Sequence, residues 1–229
     1  FRILTNIFSF YSSCIGAMKL YNDDVYQKLF PLIVFNTSFV ILDIKKYICY
    51  DAPTNKDIKL VYLILSFLTV LGNKENLFVD VFEKNDQFFK NIFFFVTHIL
   101  ISSEFSVADI LTKIFELIDL ITGFFLANKN NRIGEFFVSN KKEIESLLIF
   151  INNNILAILQ GSPRILNHNA VNLISNIYFM FPSLEFAKKL DESIGNLAQM
   201  INNKELFDSL YDIHDLLDKQ IHATEEEEG

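Results

Sequence analysis

Residues 107–121, VADILTKIFELIDLI, carry their charged side chains at Asp109, Lys113, Glu116 and Asp119. Steps of three and four return to one face of an α-helix, so these positions form a single narrow polar stripe. Ile110, Leu111, Ile114, Phe115, Leu117, Ile118 and Ile121 fill the rest of the circumference. A helix apolar over so wide an arc needs cover on both flanks as well as behind.

Three other segments share this layout. Around 60–71 the stripe is Lys59, Tyr62, Ser66 and Thr69; around 170–181 it is Asn169, Asn172 and Ser175/Asn176; at the start it is Arg2, Thr5/Asn6 and Ser9. Each is followed by a polar break: Ser12-Ser13, residues 73–76, residues 128–131 or Pro182-Ser183. A short second helix comes next, then a further apolar helix near 88–102 and 144–159. Gly161-Ser162-Pro163 predicts a turn, with glycine capping one helix and proline unable to continue it. Leu206, Leu210, Ile213, Leu217 and Ile221 lie at helical spacing in a terminal amphipathic helix over 204–222. The pattern predicts about ten to twelve helices and no strand.

The similarity between segments extends to residue identity. Residues 65–85 (LSFLTVLGNKENLFVDVFEKN) align without a gap on 120–140 (LITGFFLANKNNRIGEFFVSN), with identities including Asn73/Asn128, Lys74/Lys129, Asn76/Asn131, Phe82/Phe137 and Asn85/Asn140. Weaker copies stand at 12–22 and 173–190. Internal repetition of this kind marks units that bury their apolar faces by stacking on one another. Four units follow, roughly 1–50, 54–103, 106–159 and 164–222, within one body over 1–223. Residues 224–229 (TEEEEG) read as an acidic disordered tail or linker.

Residues 65–85, 120–140 and 170–179 (AVNLISNIYF) resemble armadillo repeats, which grade into HEAT repeats. In that family an inner helix ending in A-V-x-x-L-S-N-L precedes a polar loop, an N-x-x-N-R turn and a short helix. The spacing here exceeds the roughly 40–47 residues of such repeats, which leaves room for an extra helix. The resemblance implies an all-α, right-handed α-solenoid, an armadillo/HEAT-like superhelix of about four repeats, which binds a protein or peptide on its inner helices. The positions matching the family's backbone-clamping Asn are Asn6, Phe67, Gly123 and Asn176. Arg2, Leu63, Asp119 and Asn172 stand where that family places a Trp four residues earlier. The pattern thus departs from an importin-alpha-like groove for nuclear localisation peptides.

Composition narrows the function further. Apolar residues make up 51%, with 25 Phe but only 7 Gly and 4 Pro, so helix breakers are few. A net charge of −8 opposes binding to a nucleic-acid backbone and favours a basic protein or peptide. Cys14 and Cys49 form no C-x-x-C pair, which fits a reducing compartment, cytoplasmic and/or nuclear. The sequence opens on Phe1 without a Met and reads as a fragment. The apolar stretches 29–42 and 60–71 fall short of the roughly 18–20 residues that span a bilayer, and 107–127 carries four charges.

Candidate chemistry is sparse. His214, Asp218 and His222, with Asp215 beside them, share a helix face, but without a Cys or a compact fourth ligand they read as solvated polarity rather than a zinc site. Asp109, Glu116 and Asp119 could act as acid–base carboxylates, yet the sequence shows no substrate pocket for them. Ser162-Pro163-Arg164 reads as a turn before it reads as a phosphorylation site, and His98 as a core or interface residue. No nucleotide-binding, nucleophile-elbow or metalloprotease motif occurs.

The expectation is a non-enzymatic scaffold or adaptor without cofactor or metal. Its partner-binding residues are Arg2, Asn6, Tyr62, Ser66, Glu116, Asp119, Asn169, Asn172 and Asn176. Nucleocytoplasmic transport, or escort of a basic client, is the leading specific role. The alternatives are a structural subunit whose apolar faces neighbouring subunits cover, or a membrane-peripheral helical protein. Phe82 and Phe137 hold equivalent places and should both be buried between units. Phe137→Ala should cost about 3–5 kcal/mol in a thermal melt, and an unchanged melt would refute the repeat frame.

Overall fold

The computed structural model describes residues 2–17, 23–49, 52–73, 81, 87–128, 135 and 138–228. Among these residues the chain forms nine α-helices and no strand. They are α1 (Arg2–Ala17), α2 (Asp23–Leu42), α3 (Asn55–Gly72), α4 (Gln87–Ile101), α5 (Ala108–Ala127), α6 (Lys141–Gly161), α7 (His168–Met180), α8 (Leu184–Ala198) and α9 (Lys204–Glu228). Phe82 and Phe137 lie outside the described residues, as do Lys74, Asn76, Asn85, Lys129 and Asn131.

Short polar side chains start several helices by satisfying amides that have no partner within the helix. At α3, Thr54 and Asp57 cap reciprocally: the Asp57 amide donates to Thr54 Oγ1 at 3.4 Å, and the Thr54 amide donates to Asp57 Oδ2 at 2.7 Å. Asn167 accepts from the Ala170 amide at the start of α7, and Ser183 accepts from the Phe186 amide at the start of α8. The turn after α6 differs from expectation. No described glycine has a positive φ, so Gly161 supplies no left-handed cap. The Ser162 amide donates to the Ile158 carbonyl instead, and Pro163–Ile165 winds one 3₁₀ turn. The same device follows α2 (Ile44–Lys46) and α4 (Ser103–Phe105), with a single residue between helix and turn each time.

The four segments with matching polar stripes are α1, α3, α5 and α7, and they pack in that order, each against the next. A second row runs α2, α4, α6. The last two helices pack mainly on each other, α8 also reaching α6 and α9 also reaching α7. Helix α5 shows why. Its buried residues, Ile110 to Phe125, face α3 and α7 on the flanks, while Phe89 of α4 meets Phe124 and Phe125 from behind, with ring centroids 6.4 and 5.7 Å apart. Phe8 and Tyr11 of α1 each meet Phe67 of α3 at 5.9 Å. At the C-terminal end of α3, Gly72 faces Leu120 of α5, where an added Cβ would come within 3.4 Å of the Leu120 side chain.

Polar ties register the second row. Buried Asn91 of α4 donates to Ser38 of α2 at 2.8 Å, and Lys90 of α4 pairs with Glu143 of α6 at 2.6 Å. Helix α6, with 21 residues, is long and apolar enough to cross a membrane by length and composition, a property the sequence reading did not single out. Here Ile144, Leu148, Ile151, Ile155 and Leu159 are buried along one of its faces. Helix α9 runs through Glu228, beyond His222 where the sequence reading ends it, so the backbone of 224–228 continues the helix rather than forming a separate tail.

Asn152 of α6 is fully buried, and neither its Oδ1 nor its Nδ2 has a hydrogen-bond partner. A buried amide without partners bears its full desolvation cost. Asn152→Leu, close in shape, should therefore stabilise the fold by about 1–3 kcal/mol. Urea denaturation should show a higher midpoint with an unchanged slope.

Candidate functional site

The row α1–α3–α5–α7 carries all nine sequence-predicted partner-binding residues: Arg2 and Asn6 on α1, Tyr62 and Ser66 on α3, Glu116 and Asp119 on α5, and Asn169, Asn172 and Asn176 on α7. The structure joins three of them directly. Asn176 Nδ2 donates to Asp119 Oδ1 at 3.0 Å and to Thr122 Oγ1 at 3.2 Å. Asn172 hydrogen-bonds the same carboxylate. Thr122, buried, donates its own hydroxyl hydrogen bond to the Ile118 carbonyl at 2.7 Å. The result is a carboxylate held by two amides across the seam between α5 and α7.

Position along each helix explains the arrangement. Asp119 sits where the α5 stripe meets α7, one turn before Gly123, which also faces Asn176; a Cβ at Gly123 would make only ordinary contact with Nδ2, at 3.8 Å. Residues 172 and 176 are one turn apart on α7, so both amides point at the same neighbour. Closure of α7 over α5 half-buries Asp119, and this desolvation raises its pKa to about 6. The two Asn hydrogen bonds act in the opposite direction without offsetting burial.

The other predicted residues divide. Glu116 is half-buried and pairs with Lys113 of its own helix at 2.7 Å. Asn169 is half-buried, Asn172, Asn6 and Tyr62 are exposed, and Arg2 is placed by its backbone on the first turn of α1. Ser66 departs from expectation: its hydroxyl is buried and unpartnered, because α3 is flanked by α1 and α5 on its two sides. It is not offered to a ligand. Of Glu116, Asp119, Asn169, Asn172 and Asn176, expected to be exposed together, only Asn172 is exposed and the other four are half-buried.

Elsewhere, His214 Nδ1 contacts Asp191 of α8, His222 pairs with Asp218 at 3.3 Å, and Lys219 holds Asp215 at 2.5 Å. These pairings divide the carboxylates beside the two histidines among separate partners. Among the described residues no group of three or more His, Cys, Asp or Glu is placed to hold a metal ion. His98, half-buried, places Nδ1 2.6 Å from the Phe94 carbonyl. The sequence reading placed Asp119 and Asn176 on the stripe but missed their partner Thr122, although its position three residues after Asp119 continues that stripe and was a signal that could have found it.

In comparisons with known proteins the chain matches no family model, no curated protein and no solved structure. The geometry of the site therefore carries the functional argument alone.

Asp119 gives a stability signature. Its folded pKa lies near 6, above the ordinary value of 3.8. As pH rises from 4 to 6 the unfolded chain ionises first, so stability falls across that window and the penalty is complete above it. Asp119→Asn should remove this slope. It should raise stability at pH 7.5 by about 1 kcal/mol, the full shift being discounted for partial exposure, with the gain gone by pH 4. Urea titrations at the two pH values check this.

Proposed function

We propose that the chain is a non-enzymatic scaffold of armadillo/HEAT type, a right-handed α-solenoid of about four repeats that docks a basic protein or peptide segment along α1, α3, α5 and α7. The observation that carries this reading is the seam carboxylate Asp119, held by Asn172 and Asn176 on the row where all the polar stripes lie. A half-desolvated carboxylate gains more from a ligand cation than one fully in water. The neighbouring amides offer both donors and acceptors to an extended backbone.

Regular spacing supports the repeat part of the proposal. The ties between successive helices of a row join residues separated by similar lengths of chain: 53 for Ser38–Asn91, 53 for Lys90–Glu143 and 57 for Asp119–Asn176. A net charge of −8 supports the basic partner. Escort of a basic client or nucleocytoplasmic transport, in the cytoplasm or nucleus, is the role this chemistry suits. A structural subunit is the second reading, favoured by large apolar side chains left exposed on α2.

Fluorescence anisotropy against a library of labelled basic peptides tests the first reading. Glu116→Lys with Asp119→Lys should weaken the selected peptide by at least about tenfold, and added salt should do the same to the parent. Affinity should rise with pH through 6 as Asp119 ionises. Unchanged affinity in the double variant would shift the assignment to the structural subunit.

A further inference from the structure

Helix α2 has two opposite apolar faces and covers only one of them. Phe30, Ile33, Val34, Val40 and Ile41 are buried, whereas Leu32, Phe35, Phe39 and Leu42 remain 59, 66, 54 and 62% exposed. Steps of three, four and three put the exposed four on one seam, the a/d spacing by which helices pair along their length. The order Leu-Phe-Phe-Leu also reads the same in both directions.

From this we infer that the chain dimerises through α2, antiparallel to α2 of a second copy about a twofold axis between Phe35 and Phe39. That axis sets Leu32 against Leu42 of the second copy and Phe35 against its Phe39, so every seam residue meets an apolar counterpart. Isologous contacts require this self-complementarity. A lipid surface or an unrelated protein would gain nothing from the mirrored order. At the rim, the same axis brings Lys28 toward Lys46 of the second copy, which pairs with Asp43 of its own chain at 2.5 Å.

The seam provides the apolar part of an interface, and its flanks must supply the rest. The four side chains expose roughly 450 Å² of apolar surface. A stable interface buries about 800 Å² per partner, with about two-thirds of its core apolar. The seam supplies that core. This inference goes beyond the peptide-docking reading and does not depend on it, since α2 lies in the other row.

Sedimentation velocity of the full chain from about 1 to 100 µM tests it. The parent should sediment as a dimer at the upper end. Phe35→Lys and Phe39→Glu should each weaken dimerisation by about 30-fold or more. Both positions are exposed, so both variants should keep the parental circular dichroism and melting temperature. Mixing the two variants should restore a dimer, because the ammonium introduced on one chain then faces the carboxylate introduced on the other. A parent that stays monomeric throughout, a single variant that dimerises like the parent, or a mixture that stays monomeric would each overturn the inference. So would a monomeric parent that floats with phosphatidylcholine/phosphatidylserine vesicles and loses this with Phe35→Lys, which would assign the seam to lipid.

Discussion

A helix that is apolar around most of its circumference has no stable place at the edge of a structure. Helix α5 embodies that constraint, with buried residues from Ile110 to Phe125 and only a thin line of charge. It requires α3 on one side, α7 on the other and α4 behind. The same demand recurs at α3, whose Leu60, Ile64, Phe67 and Leu71 are fully buried. Lateral stacking is the arrangement that meets it for helix after helix, and hydrophobic burial at these contacts outweighs any single polar tie. The polar ties set register; the apolar flanks supply the drive.

The helical content and the order of the first row were legible because both follow from periodicity, which is local. The wide apolar arc of 107–121 already demands neighbours, and matching stripes identify which segments are equivalent. Less legible was anything that depends on how two helices slide past each other. Asp119 and Asn176 are far apart in sequence, and their contact depends on the α5–α7 register, which a stripe does not encode. Ser66 shows the same limit in reverse, since the stripe places it on a face that packing then closes. Helix α2 was opaque for a different reason: apolar on two opposite sides, its sequence gives no sign of which side the fold covers.

Two kinds of unspent interaction remain on the molecule. One is electrostatic: Asp119 holds a charge at neutral pH that its surroundings resist, so a ligand cation would relieve a cost already present in the free protein. The other is apolar, along the uncovered seam of α2. They lie on different rows, so occupying one leaves the other open. A chain that binds through both would join a charged client to a symmetric assembly without competition between the two surfaces.

The 3₁₀ turns after α2, α4 and α6 have a mechanical consequence. Each is a tight link one residue from its helix, and the helices it joins make their substantial contacts with immediate neighbours in the rows. After α4 and α6 only two residues separate the turn from the next helix, so little slack chain lies between a second-row helix and its first-row successor. Displacing α4 or α6 would therefore pull directly on α5 or α7.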